Sequence, residues 1–452
     1  MPLREHVHDI VEPVLYVMFI SQEEKGNTMA IVQVVGILAV FVAGVFLMMT
    51  KRMPAILALA AMGVLIAGIA GVPLFPLEPK GQSITTFVIA QGAWKLGSTI
   101  AVTIFGAIFA KVIQKQGISD AIIKKAAELA GDKPFAIAFA LTAAIALIFT
   151  AMAGAGPVIM VSQIAIPLLL SAGIAPVVAA SLVLFGLNIG LLFNVSQYQL
   201  YVDTIGMSMD VIKSTSLVMG IVCAIVTILY IAVNTRKISS STWSVSSDQE
   251  KAKVGILGLC MPILPIVLVF VFKLNAETAL IIAIIATALI QNQKQAMQVL
   301  SSSVVEGIQD IAGVIGLMMG IGILLNGVAA QATSALMQPI ISLVLPTNPI
   351  VYVLLFTILS PLALYRGPLN MFGLGSGLAK VFVAAGTLSP SLIGMALRST
   401  SVVQCVSDPT NTQNVIVSDY ARVDVNDILK STLPYTMLQA LGIMIYAALT
   451  FF

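Results

Sequence analysis

Charged side chains are scarce in this sequence. Of its 452 residues only 10% are Asp, Glu, Lys or Arg, whereas 59% are apolar and the mean hydropathy is +1.03. A soluble domain carries about 25% charged residues, so this composition excludes a soluble enzyme and indicates an integral membrane protein. The net charge of +3 comes without a dense basic run, which argues against a nucleic-acid partner.

Cysteine and histidine are scarce as well. The three cysteines lie far apart, in or beside apolar runs, so neither a disulfide framework nor a metal site is predicted. Both histidines, His6 and His8, lie in a polar N-terminal stretch. The sequence also lacks HExxH and GxSxG motifs. We therefore predict that the protein is not an enzyme and binds no cofactor or metal.

Long apolar runs, by contrast, recur along the chain. A helical span needs about 17–25 residues. About ten segments qualify, near 29–49, 54–74, 93–114, 176–199, 215–234, 254–272, 276–291, 308–329, 390–407 and 431–450. Two further apolar stretches, 134–173 and 349–386, each contain a Gly-Pro pair midway. They are predicted to be re-entrant helical hairpins, so the expected fold is an all-α integral membrane protein of about ten transmembrane helices and two hairpins.

The two hairpins fall at matching places in two halves of the chain. A polar N-terminal segment, 1–28, precedes a first repeat at 29–234, and the polar linker 235–253 leads to a second repeat at 254–452. Five crossings separate corresponding spans, and an odd number means that the repeats are inverted. Inverted repeats with broken helices are typical of secondary transporters.

The distribution of lysine and arginine predicts the orientation of this arrangement. When the spans are followed in order, one side holds most of the basic residues, including those of the linker. By the positive-inside rule this side is cytoplasmic. We therefore expect a multi-pass protein of the cell membrane, in a bacterium the inner membrane, with a cytoplasmic linker and both termini extracellular or periplasmic.

The Gly-Pro pairs at the hairpin tips are candidate binding elements. Pro157 and Pro368 suit the first turn of each returning helix, and Gly156 and Gly367 permit close approach of a ligand. Two helix N-termini would then point inward and favour an anion. The alternative is that each pair only kinks a structural helix. Asn370 is grouped with the second tip.

Polar side chains interrupt the helix that follows each hairpin. The first interruption lies in "GLNIGLLFNVSQYQ" and the second in "RSTSVVQCVSDPTNTQN". Amide and hydroxyl groups can replace the water around a polar ligand or a desolvated cation, although a polar loop at the membrane surface has the same composition. The predicted binding residues in these stretches are Asn188, Asn194, Ser196, Thr410 and Asn411.

Three ionisable residues occur in only one of the two halves. Arg366, Arg398 and Asp408 stand where the first half has Ala155, Leu184 and Asn194. Charges at membrane depth are costly and mark functional sites. We expect Arg366 to clamp a carboxylate through its planar fork. Arg398 is a second clamp or a structural partner of Asp408, and Asp408 is the candidate for carrying a coupling proton.

The run "TIFGAIFAKVIQKQGISDAIIKKAAELAGDKP" at 103–134, leading into the hairpin "AMAGAGPVIMVSQIAIPLLLSAGIAP" at 151–176, resembles the ion transporter superfamily. With the basic turn "MTKRMPAILAL" at 49–59, it is most similar to the proton-coupled citrate transporter family. This resemblance implies a carboxylate held between two hairpin tips and two broken helices, in a homodimer with an elevator-like motion. The first tip is less hydroxyl-rich than in carriers of metal-citrate, and the Ser-Asn-Thr motifs of sodium-coupled relatives are absent, which favours protons over sodium.

The expected function is therefore proton symport of a small organic anion such as citrate or another di- or tricarboxylate. A cation/proton antiporter on the same scaffold is the alternative, but it usually needs more than one carboxylate at membrane depth. A gluconate or amino-acid carrier is a third possibility, because an arginine clamp serves any carboxylate.

Overall fold

A computed structural model describes residues 29–48, 50, 52–78, 81–131, 133–236, 254–291 and 295–452. Within these residues all regular secondary structure is helical, and there is no β-strand. The first half forms α1 (Met29–Met48), α2 (Ala55–Ile69), a π-helix (Ile84–Gln91), α3 (Gly97–Lys115), α4 (Ile118–Ala130), α5 (Pro134–Phe149), α6 (Ala155–Ser171), α7 (Pro176–Leu191), α8 (Val195–Ile205) and α9 (Met209–Thr235).

The second half repeats this order. It forms α10 (Ile256–Cys260), a 3-10 turn (Met261–Ile263), α11 (Leu264–Phe270), α12 (Ala276–Gln291), α13 (Ala296–Ala329), α14 (Gln331–Val344), α15 (Pro349–Ile358), a 3-10 segment (Ser360–Arg366), α16 (Leu374–Ala385), α17 (Pro390–Ser407), α18 (Thr412–Ala421) and α19 (Val425–Phe451). Each half ends with a hairpin, a broken helix and a 27-residue helix, as expected for repeats.

Five helices in the described part of the chain are long and apolar enough to span a membrane, namely α1, α3, α9, α13 and α19. The pair α7 and α8 makes a sixth if it is counted as one span, although it bends by 64° at its break. The predicted span 176–199 thus ends early. The span predicted at 308–329 begins at Ala296 instead, because its start lies in a mildly polar stretch that still forms helix.

Other differences from the predicted spans are local. The segment 254–272 is divided at a 3-10 turn, where Pro262 and Pro265 each lack the amide that a continuous α-helix needs. Most of the linker 235–253 and the segment 1–28 lie outside the described residues. The sidedness of the linker and termini stays a prediction.

Glycines set the closest helix contacts in the interior. A Cβ on Gly63 of α2 would lie 2.6 Å from the carbonyl oxygen of Ile323, and one on Gly320 would lie 2.7 Å from that of Ile56. Gly327 packs equally closely on the backbone of Gly63. Small residues allow helix backbones to approach each other in membranes. They therefore fix α13 against α2, beside the site described below.

The two hairpins differ at their tips. In the first, α6 begins at Ala155, so Pro157 lies in the first turn of the returning helix as predicted. In the second, Pro368 lies well before α16, so the same prediction is wrong there. The Asn370 side chain accounts for the difference. Its Nδ2 donates to the Ala363 carbonyl at 3.1 Å and its Oδ1 accepts from the Phe372 amide at 2.9 Å, which holds an irregular turn before the helix.

Candidate functional site

A cavity of about 460 Å³ lies where the two broken helices meet. Its walls come from both breaks, from the tip of the first hairpin, and from α3 and α13, while Phe372 contributes from the second hairpin. A cavity of this size suits a small metabolite. Of the residues predicted from sequence, five line it: Asn188, Asn194, Ser196, Arg398 and Asn411.

Three helix N-termini face this cavity. The cavity is lined at these points by the residue that precedes each helix, namely Gly154 before α6, Asn194 before α8 and Asn411 before α18. The starts of α6 and α18 have no side-chain cap. The first four amides of a helix have no partner within it, so uncapped ends offer N–H donors and the positive end of the helix dipole. The sequence and its family resemblance predicted two hairpin tips and two broken helices around the ligand. In the structure both breaks and the first tip line the cavity, while the second hairpin contributes Phe372.

Arg398 supplies the positive side chain of the cavity. It is 4% exposed and its guanidinium donates to hydroxyls of Thr215 and Ser216 on α9, with 2.6 Å to Ser216 Oγ. Those hydroxyls donate in turn to carbonyls of their own helix, which orients their lone pairs towards the arginine. The Tyr201 ring lies 5.8 Å from the guanidinium carbon, within range for a cation–π contact.

No carboxylate in the described part of the chain pairs with Arg398. The alternative in which Arg398 is the structural partner of Asp408 is therefore wrong. Asp408 follows Arg398 by ten positions along α17 and its C-cap, which corresponds to about 15 Å along a helix. A buried arginine held by neutral groups retains its charge and can receive an anion.

Asp408 and Asn194 each connect a helix break to a hairpin. The Asn194 Nδ2 donates to the carbonyls of Phe149 and Met152, both at 3.1 Å. The Asp408 Oδ1 accepts from the Tyr365 amide at 3.0 Å and from Thr410, through its amide at 2.9 Å and its hydroxyl at 2.7 Å. Asn194 likewise accepts from the amide and hydroxyl two residues further on. The sequence alignment of Asp408 with Asn194 thus corresponds to matching positions and to the same contact with the residue two positions further on, whereas the contacts with the hairpins differ in polarity.

Asp408 itself does not line the cavity. It is 0% exposed, and its Oδ2 is buried without a hydrogen-bond partner. Thr410 is bound to the same carboxylate rather than directed into the cavity. The role of Asp408 in proton coupling stays a prediction.

The remaining predicted residues lie around the hairpins. Gly156 contacts an ion pair described below, and Pro157 is buried behind it. Gly367 is packed against carbonyls of its own hairpin, at 2.9 Å from Leu364 O to a Cβ built on it. Asn370 holds that same tip together. The side chain of Arg366 lies outside the described part of the structure, so its role as a carboxylate clamp stays a prediction.

The sequence analysis missed an ion pair at the cavity wall. Lys111 Nζ on α3 lies 2.8 Å from Asp310 Oδ2 on α13, and Asp310 lines the cavity. A second pair, Lys115 with Glu306, lies one turn away. The signal was present in the sequence, because two lysines and two carboxylates each stand four residues apart, and residues at this spacing lie on one face of a helix.

A further carboxylate joins two helices next to the cavity. Asp203 lies on α8, where its Oδ2 accepts from the amide and hydroxyl of Thr99 at 3.2 and 2.8 Å. Thr99 belongs to the first turn of α3, whose free amides attract a carboxylate. Asp203 thereby joins α8 to α3 beside the cavity.

Two solved structures share this fold. The YdaH transporter of Alcanivorax borkumensis, described as having an unusual topology, aligns with a TM-score of 0.60 and 14% identity over 87% of this chain and 97% of that chain. MtrF of Neisseria gonorrhoeae, from a class of antimetabolite efflux pumps, aligns with a TM-score of 0.54 and 12% identity over 88% and 95%. No protein-family model and no curated protein matches the sequence.

Identities this low establish the fold alone. The described part of the chain is helical without strands and has several apolar helices long enough to span a membrane, and the chain has the fold of known transporters. The narrower resemblance to proton-coupled citrate transporters is not confirmed by these comparisons.

Proposed function

We propose that this protein is a secondary active transporter of a small organic anion that carries at least one carboxylate, with citrate and other di- or tricarboxylates as the first candidates. The observation that carries the proposal is Arg398, a buried guanidinium at the cavity wall without a carboxylate partner among the described residues. A buried charge needs a counter-charge, and a bound carboxylate supplies one with bidentate geometry.

The uncapped N-termini of α6 and α18 favour the same ligand. The residues at both helix starts line the same cavity as Arg398, and their amides can donate to carboxylate oxygens. The same positive groups repel a cation, so they weigh against the cation/proton antiporter.

Coupling to a proton, a homodimeric assembly and the inverted orientation of the repeats remain part of this proposal as the sequence predicted them. Export is a second candidate for the direction of transport. The fold shared with MtrF, described as an efflux pump, favours it. An imposed inward proton gradient accelerates uptake in a symporter and release of preloaded substrate in an exporter that exchanges protons.

The test is uptake by proteoliposomes against a panel of mono-, di- and tricarboxylates, with pH and sodium gradients imposed separately. Arg398→Gln should reduce uptake by at least 100-fold, on the order of the 3 kcal/mol lost with a buried charge-assisted contact. Arg398→Lys should recover little, because an ammonium cannot reproduce the planar fork. Arg422→Gln, an exposed arginine at the end of α18, is the control and should transport normally. Normal uptake by Arg398→Gln would exclude the anion clamp.

A further inference from the structure

Two parallel ion pairs join α3 to α13. Lys111 pairs with Asp310 at 2.8 Å. One turn later on α3 and one turn earlier on α13, Lys115 pairs with Glu306 and donates to Ser302 Oγ at 2.6 Å. The outer pair is the more exposed, with 25% and 44% of its side chains accessible against 14% and 31% for the inner pair. The two pairs therefore have similar chemistry at different depths.

Only the inner pair contacts the transport site. Asp310 lines the cavity, whereas Glu306 does not. A Cβ built on Gly156, at the tip of the first hairpin, would lie 2.6 Å from Asp310 Oδ2 and 3.5 Å from Lys111 Nζ. The ion pair thus lies directly against the start of α6, whose N-terminus faces the same cavity.

Asp310 has three properties that a coupling carboxylate needs. It borders the substrate cavity, it is partly accessible to water, and it contacts a hairpin tip. Asp408 lacks the first two, since it is fully buried behind the cavity and its Oδ1 already binds backbone amides. The geometry points to Asp310, with Lys111, as the proton-coupling pair of the transporter.

The coupling follows from charge balance and rests on the proposed function. While Asp310 is ionised it neutralises Lys111, and the cavity carries the charge of Arg398. When a proton from solution adds to Asp310 Oδ2, the ion pair is lost and the Lys111 ammonium adds to the positive potential that attracts the anion. The anion and the proton then bind together, and the proton returns to solution when the anion leaves. By linkage, protonation and anion binding strengthen each other by the same factor.

Asp310 and Lys111 are the charged pair that determines the local charge at the first hairpin tip. On α3 and α13 the neighbouring charged groups are Lys115 and Glu306, which compensate each other. The hairpin tip, α2, α14 and the π-helix have no titratable side chain in their described segments. Glu277 begins α12 and Lys380 lies on α16, and neither forms an ion pair within the described residues. On α8, which packs against α3, Asp203 accepts from Thr99 and Tyr201 faces Arg398. On α4, Lys125 pairs with Glu128, and Asp120 and Lys124 lie one turn apart.

The test measures anion binding to the purified full-length protein as a function of pH, with citrate as the first probe and then the panel carboxylate with the highest uptake. Wild-type affinity should rise about tenfold as the pH is lowered, within the usual range of coupling between sites. Asp310→Asn mimics the protonated state, so it should bind tightly at every pH. In weak buffer, binding should take up a proton in wild type and none in Asp310→Asn.

Glu306→Gln is the matched control, because it removes the carboxylate of the neighbouring ion pair, which does not border the cavity. It should keep the wild-type pH dependence and proton uptake. Unchanged pH dependence in Asp310→Asn, or an equal loss in Glu306→Gln, would overturn the assignment while leaving the anion transporter intact. A wild-type protein that binds none of the carboxylates would overturn the proposed function instead.

Discussion

The two helix breaks hold their hairpins through opposite hydrogen-bond chemistry. In the first half an amide nitrogen, Asn194 Nδ2, donates to two carbonyls at the end of α5. In the second half a carboxylate oxygen, Asp408 Oδ1, accepts a hydrogen bond from the backbone amide of Tyr365, which has a φ of 55°. Each residue follows the proline at the start of its helix by the same number of positions.

This comparison shows why one half carries a charge where the other does not. The first hairpin directs backbone carbonyls towards the helix break, so the residue there must be a hydrogen-bond donor. The second hairpin directs the amide of a left-handed residue towards its break, so the residue there must be an acceptor. A carboxylate accepts such bonds more strongly than a neutral amide. The shape of its hairpin therefore gives Asp408 a structural role, as the acceptor for the Tyr365 amide, beside the proton-carrying role that stays a prediction.

The largest expected effect comes from reversing the polarity of the first contact. Asn194→Asp replaces the donor with a buried charge that faces the carbonyls of Phe149 and Met152. We expect a loss of about 4 kcal/mol, since an uncompensated charge is left buried. Asn194→Ala, which removes the bonds without adding a charge, should cost less. Thermal stability in detergent tests this order, and equal losses would mean that repulsion at the first tip is unimportant.

The second prediction concerns the space that each hairpin tip leaves for a side chain. A Cβ at Gly367 meets backbone carbonyls that cannot move independently, so Gly367→Ala should cost about 3 kcal/mol. At Gly156 the contact is the end of the Asp310 side chain, which can rotate. Gly156→Ala should therefore remain folded but lose the Lys111 ion pair and much of its transport. Gly97→Ala, with open space around it, is the control. Measurement of folded yield and of uptake for each variant distinguishes loss of stability, expected for Gly367→Ala, from loss of transport in a folded protein, expected for Gly156→Ala.

Sequence reasoning identified the helices, hairpins and repeat order because hydrophobic length and Gly-Pro breaks are local signals. It also selected Arg398 and the residues of both breaks, since polar groups in an apolar run stand out. It could not place Asp310 against Gly156, because that contact joins helices from opposite halves. Nor could it show that Asn370 builds an irregular turn, which moves the start of α16 past Pro368.

A third prediction tests the role of Asp408 directly. In Asp408→Asn the acceptor oxygen remains but loses its charge, and the new amide would stand where Oδ2 has no partner. We expect a loss of about 2 kcal/mol in stability and no change in the pH dependence of anion uptake. The sequence-based role as proton carrier requires the contrary, namely loss of proton-driven accumulation with retained exchange. Parallel assays of stability and of pH-dependent uptake decide between them.

The smallest effect concerns the last helices of the two halves, which also start differently. Asp424 caps α19 by accepting from the Asn426 amide at 2.7 Å, whereas Ser208, at the start of α9, makes no side-chain cap. Hydrogen bonds from Asn426 lower the pKa of the Asp424 carboxyl below its usual value. Its contribution to stability is therefore present above the pKa of the unfolded chain and is lost as the pH falls through the lower folded value.

Asp424→Ala should lower the melting temperature slightly at neutral pH and not at all at a pH below the folded pKa, where the wild-type carboxyl is protonated. Ser208→Ala should have no effect at either pH, because no cap is removed. Melting curves of the three proteins at the two pH values provide the measurement. A pH-independent difference between Asp424→Ala and wild type would show that the side chain acts through packing rather than through its charge.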